Sequence, residues 1–201
     1  MAKRRHLTPQ EIISQCKHVA RECRMADRSP WTAMGIVCGY TLMKSEGFKA
    51  QRIVKITAAV AKMEERWRNG EITVEELSNR LMDKAEWSIE YKEYTEADIK
   101  RKKGTYDYWL DQKQLDPQNR INQQATRYMI FMFNALMDEY GYGKARLTRV
   151  EEYMLHMLAE YQQDKVTVNQ WRQEILDETG IVFENPLDPL TQTAGSMLTG
   201  R

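Results

Sequence analysis

"ALMDEYGYGKARLTRV", residues 135–150, ends one apolar helical pattern at a pair of glycines and begins a basic, amphipathic one immediately. Glycine adopts positive φ without a Cβ clash, so Gly141 suits the left-handed position that closes a helix. The stretch therefore predicts a long helix, a tight reversal and a second long helix. A plainer version lies upstream as "TLMKSEGFKAQRIVKI", residues 41–56.

Sliding the chain on itself by 94 residues without a gap aligns the two. Leu42-Met43 falls on Leu136-Met137, Gly47-Phe48 on Gly141-Tyr142, Arg52 on Arg146, Lys55 on Arg149, Met63 on Met157 and Thr73-Val74 on Thr167-Val168. Residues 42–83 carry eight identities in this register, and most other apolar positions keep their character. An arbitrary register does not give that, so a tandem duplication is expected. Each copy reads as long helix, Gly-aromatic turn, long helix and Thr-capped short helix. The aromatic after each glycine, Phe48 or Tyr142, is expected to cover the joint.

The remaining punctuation points the same way. Thr8-Pro9 with Glu11 predicts an N-terminal helix. Ser29-Pro30 opens a helix that runs to Glu46, and the next covers about 49–68 before the turn pair Asn69-Gly70. Thr73, with Glu76 three residues on, signals a capping box, and Thr167 with Gln170 repeats it. Asp116-Pro117 opens a helix to about Tyr140. Its apolar positions Ile121, Ala125, Tyr128, Met129, Met132, Phe133, Leu136 and Met137 form a broad stripe. The following helix covers about 144–162, and Gly180 closes the last one. Ile181-Val182-Phe183 is expected to pack back on the core. The expected fold is all-α: two tandem three-helix repeats packed as a helical bundle, an N-terminal helix and a disordered C-terminal tail. The segments are 1–28 (basic arm and helix), 29–90 (repeat 1), 91–115 (basic and aromatic connection), 116–183 (repeat 2) and 184–201 (tail).

Composition narrows the function classes. At 42% apolar residues the chain can bury a core, and its formal net charge is only +1. Bulk charge is therefore not what would hold it to nucleic acid. The charge is nevertheless uneven, with seven Lys/Arg against three Asp/Glu in residues 1–30 and three against seven in 160–201. No apolar run approaches the roughly 18–20 residues that span a bilayer, and the charged start lacks an apolar signal core. Cys16, Cys23 and Cys38 lack paired metal spacing, and reduced thiols of a cytoplasmic protein are expected. Cys16 and Cys23 share an apolar helical face with Ile12 and Val19, so packing is the simpler role than a zinc site with His18.

The second copy resembles a group of small helical proteins of Gram-positive phages and prophages. The resemblance rests on Asp138, Glu139, Tyr140, Gly141, Tyr142, Gly143, Arg146 and Leu147, and it covers about residues 130–182. The first copy departs from it, with Lys49 where the second has Gly143. The motif is structural punctuation. The resemblance implies a phage setting and a helical fold, and no substrate.

Catalytic patterns are scarce. No phosphate-binding GxxxxGK[ST] or GxGxxG and no HExxH occurs, and His6, His18 and His156 are scattered. Asp138-Glu139 reads as a helix-end acid pair near Arg146 rather than a catalytic pair. No enzyme, cofactor or metal is expected. Met129, Met132, Met137, Met154 and Met157 are expected in the core.

Binding remains. One candidate surface joins Trp87, Trp109, Tyr106 and Tyr108 with the pairs Arg52/Lys55 and Arg146/Arg149; Trp171 is a further aromatic candidate. Cations in the first turns of a helix oppose its dipole. Finding them in both copies points to an acidic partner or to ion pairs with the preceding helix end. The other candidate is a nucleic-acid surface made of Lys3, Arg4 and Arg5 with Lys100, Arg101, Lys102 and Lys103 beside stackable aromatics. The expectation is a cytoplasmic protein that binds a host or phage protein in an accessory, regulatory or anti-defence role. DNA or RNA binding is the alternative.

Overall fold

The computed structural model describes residues 29–89, 91, 117–163 and 165–183. Within them are six α-helices and no strand: α1 (Ser29–Glu46), α2 (Ala50–Arg68), α3 (Val74–Ala85), α4 (Pro117–Tyr140), α5 (Lys144–Gln162) and α6 (Val168–Thr179). Among the described residues no helix is long and apolar enough to cross a membrane. The expected N-terminal helix, the basic arm, the Lys100–Lys103 run, Tyr106, Tyr108, Trp109, Cys16, His18, Cys23 and the tail lie outside the described residues.

The local signals build the elements they announce. The Thr73 hydroxyl accepts from the Glu76 amide while the Glu76 carboxylate accepts from the Thr73 amide, and Thr167 and Gln170 repeat both bonds. Gly47 and Gly141 have φ of 66° and 63°. After each glycine the chain turns back, with the Phe48 amide donating to the Leu42 carbonyl at 3.1 Å and the Tyr142 amide to Leu136 at 3.4 Å. The bounds of α2 and α3, moved by 94 residues, are those of α5 and α6.

The packing is crosswise. α1 lies against α4, α5 and α6, while α4 lies against α1, α2 and α3. The long helix of each half is thus wrapped by the two following helices of the other half. Within the first half, α1 and α2 meet less extensively, where they adjoin at their joint. Burial follows from this placement. In α4, residues 130–136 are buried without interruption, and in α1 residues 35–39 and 41–43. A helix surrounded by neighbours has no solvent face, so the stripe expected for α4 is in fact a full circumference that also takes in Ile130, Phe131, Asn134 and Ala135. Met132, Met154 and Met157 are core residues, as expected, with Met129 and Met137 half-buried against them.

Among the described residues two polar side chains, Asn134 and Thr41, are fully buried in this core, and both are satisfied. The Asn134 amide donates to the Leu77 and Ile130 carbonyls at 3.1 and 2.9 Å. Thr41 donates to the Met157 sulfur at 3.4 Å. After α6 the chain packs back through Ile181 and Phe183, leaving Val182 exposed.

Candidate partner-binding surface

The two Gly-aromatic joints meet at one end of the bundle. Phe48 and Tyr142 are both buried. Their ring centroids lie 6.4 Å apart, and Tyr140 closes the triangle at 5.1 Å from Phe48 and 6.5 Å from Tyr142. Each aromatic covers its own joint and also touches the other, and together with Tyr140 they give Arg52, Lys55 and Arg146 a common aromatic floor.

The four cations divide into two kinds. Arg149 donates to both carboxylate oxygens of Glu46, at 2.7 and 2.8 Å, and the Tyr142 hydroxyl donates to the same carboxylate at 2.8 Å. Burial, and then this bond to Glu46, push the Tyr142 hydroxyl well above its ordinary range. Lys55 pairs with Glu139 at 2.5 Å and sits 5.6 Å from the Tyr140 ring. The hydrogen bond to Glu139 raises the Lys55 ammonium above its usual value. Both pairs cross between halves: α2 to the end of α4, and α5 to the end of α1. The ion pairs expected with the preceding helix end are therefore made with the other half's helix end, because crosswise packing brings that end alongside.

Arg52 and Arg146 are the other kind. The Arg52 guanidinium lies 5.5 Å from the Phe48 centroid and 5.9 Å from Tyr140, and Arg146 lies 5.3 Å from Tyr142. Both side chains are exposed, and neither has a carboxylate within ion-pair distance among the described residues. A guanidinium stacked on an aromatic face keeps its planar donor fork free for a carboxylate or phosphate.

Other expectations change. Trp87 is 4% exposed, stacks edge-on at 4.5 Å against Phe133, and donates from Nε1 to Glu151 at 2.7 Å. Trp171 is 2% exposed between Tyr40 and Tyr161. Both tryptophans are core packers rather than interface anchors, since crosswise packing seals their faces. Arg146 does not serve Asp138-Glu139: Arg80 grips Asp138 through two nitrogens, and Lys55 takes Glu139.

His156 is exposed beside Glu160, and Cys38 is a free, buried thiol whose ionisation burial pushes far up. Among the described residues no group of His, Cys, Asp or Glu converges to hold a metal ion.

The sequence reading missed one pattern. Lys44 binds Glu174 at 3.1 Å and Glu178 at 2.5 Å, and Tyr40 donates to Glu174 at 3.0 Å. Moved by 94 residues, Lys44 becomes Asp138, and Arg80 becomes Glu174. The signal available was this charge reversal at aligned positions. The chain matches no family model, no curated protein and no solved structure, so its surfaces are read from their own chemistry.

Proposed function

We propose that the protein is a non-catalytic macromolecular binding protein whose joint surface receives an acidic patch on another protein. The observation that carries this is the pair Arg52 and Arg146. They occupy equivalent positions, are exposed, lie over aromatic rings and have no carboxylate partner among the described residues, while Lys55 and Arg149 one turn further on are both paired. A cation in the first turn of a helix opposes the helix dipole, so two such residues left unpaired favour a role outside the fold. In this account the chain is an accessory or anti-defence protein of a phage, acting in the bacterial cytoplasm on a host or phage protein; the resemblance of residues 130–182 supports that setting. Two three-helix repeats derived by duplication account for the shared offset of 94 residues and for a joint surface with two like arginines.

Capture from bacterial lysate on the immobilised full chain tests the partner class. A protein retained after nuclease treatment supports the proposal. Loss of all retained protein on nuclease treatment overturns it in favour of nucleic acid, bound through Lys100–Lys103 and the Lys3–Arg5 arm.

A further inference from the structure

We propose that Lys44 with Glu174 and Glu178, and Arg80 with Asp138, form a charge code that makes each half of the chain the binding partner of the other half and not of a copy of itself. This does not depend on what binds at the joints.

In the crosswise arrangement position 44 of α1 faces position 174 of α6, and position 138 of α4 faces position 80 of α3. Both contacts are attractive, with opposite polarity. Consider the first half paired with a second first half. Arg80 would then stand where Glu174 now stands, opposite Lys44. Two second halves would set Glu174 opposite Asp138. Both self-pairings are repulsive, while the observed pairing is attractive at both places. The neighbouring polar groups carry the same distinction: Tyr40 donates to Glu174, and at the matching position Asn134 accepts from Arg80 at 3.3 Å.

Side-chain size separates the halves independently. A Cβ added at Gly39 would lie 3.3 Å from Cζ of Phe183. The matching residue of the second half is Phe133, which packs on Trp87 instead. A side chain of that size cannot take the place of Gly39 against Phe183, so the second half does not fit the socket that receives the first. Charge thus disfavours both self-pairings, and volume independently disfavours the pairing of two second halves.

The test exchanges charges without altering net charge and uses the full chain. K44D/D138K makes both inter-half contacts repulsive and both self-pairings attractive. K44D/R80E/D138K/E174R reverses all four positions and restores attraction between halves. The double variant is expected to lower the thermal midpoint by about 3–8 °C, the scale for losing and inverting two partly exposed pairs in a chain of this size. The quadruple variant is expected to regain at least half of that loss. Recovery falls short of complete because Glu178 still faces position 44, and because Tyr40 and Asn134 lose their partners. A double variant that unfolds at the wild-type midpoint overturns the proposal. So does a quadruple variant no more stable than the double, including the case in which neither folds.

Discussion

The Glu46 carboxylate, 7% exposed, is held by the Arg149 guanidinium from the other half of the chain. Glu46 ends α1 and Arg149 lies in the second turn of α5, so this pair fastens the two joints together. The Tyr142 hydroxyl also donates to that carboxylate. Replacing Arg149 by Ala therefore strips a nearly buried anion of its charge partner, at an expected cost of about 1–3 kcal/mol. The matching change at Lys55, whose partner Glu139 is far less buried than Glu46, should cost less. Thermal unfolding of R149A and K55A side by side checks the order; a K55A midpoint below that of R149A contradicts it.

The two joint glycines are needed for their backbone alone. Nothing lies within 4 Å of a Cβ built at Gly47 or Gly141, yet both have positive φ. G47A and G141A should each cost about 1 kcal/mol. Asn tolerates the left-handed region better, so G47N and G141N should lose less than the Ala variants. Equal losses for Ala and Asn would point to a cause other than backbone strain.

Glu86 closes α3 with φ of 49°, where the matching end of α6 has Gly180 at 73°. Its exposed contact to Lys144 is of little worth. E86G should raise stability by about 0.5 kcal/mol, through relief of left-handed strain that outweighs the added freedom of the unfolded chain. A lower midpoint for E86G would mean that the carboxylate matters more than the backbone.

Tyr40 sets part of the alkaline limit. Burial, followed by its bond to Glu174, pushes its hydroxyl up from 10 to about 12. A folded value above the unfolded one means that this group's contribution is complete below pH 10 and fades as pH rises toward 12. The raised Lys44 ammonium beside it acts in the same direction. Y40F should unfold at a lower midpoint at pH 8 and show a shallower fall in midpoint between pH 10 and 12. Parallel alkaline limbs for wild type and Y40F would exclude this role.

What the sequence made legible was local. The capping boxes at Thr73 and Thr167, the positive-φ glycines and the ends of α1, α2, α4 and α5 depend on residues within a few positions of one another. What it hid depends on which helix lies beside which. Trp87 and Trp171 look like exposed anchors until crosswise packing seals them. Asp138 has Arg146 close in sequence, but Arg80, 58 residues away, is brought to it by α3. The unbroken burial of residues 130–136 follows from α4 being surrounded by helices, which no stripe of apolar residues along the chain announces. The pairing of Lys44 with Glu174 was hidden for the same reason, although the reversed charges stood at aligned positions.

Reception of an acidic protein partner by Arg52 and Arg146 is tested by capture from nuclease-treated lysate on three full-length chains. The chains are the wild type, R52Q/R146Q, and a variant with Lys100, Arg101, Lys102 and Lys103 replaced by Gln. At positions 52 and 146 Gln replaces exposed side chains, so stability should change there by no more than about 1 kcal/mol per stacked cation lost, and unfolding midpoints verify that all three chains are folded. The same retained protein is expected on the wild type and on the Lys100–Lys103 variant, with its loss from R52Q/R146Q. Retention of that protein by folded R52Q/R146Q at the wild-type level would contradict it.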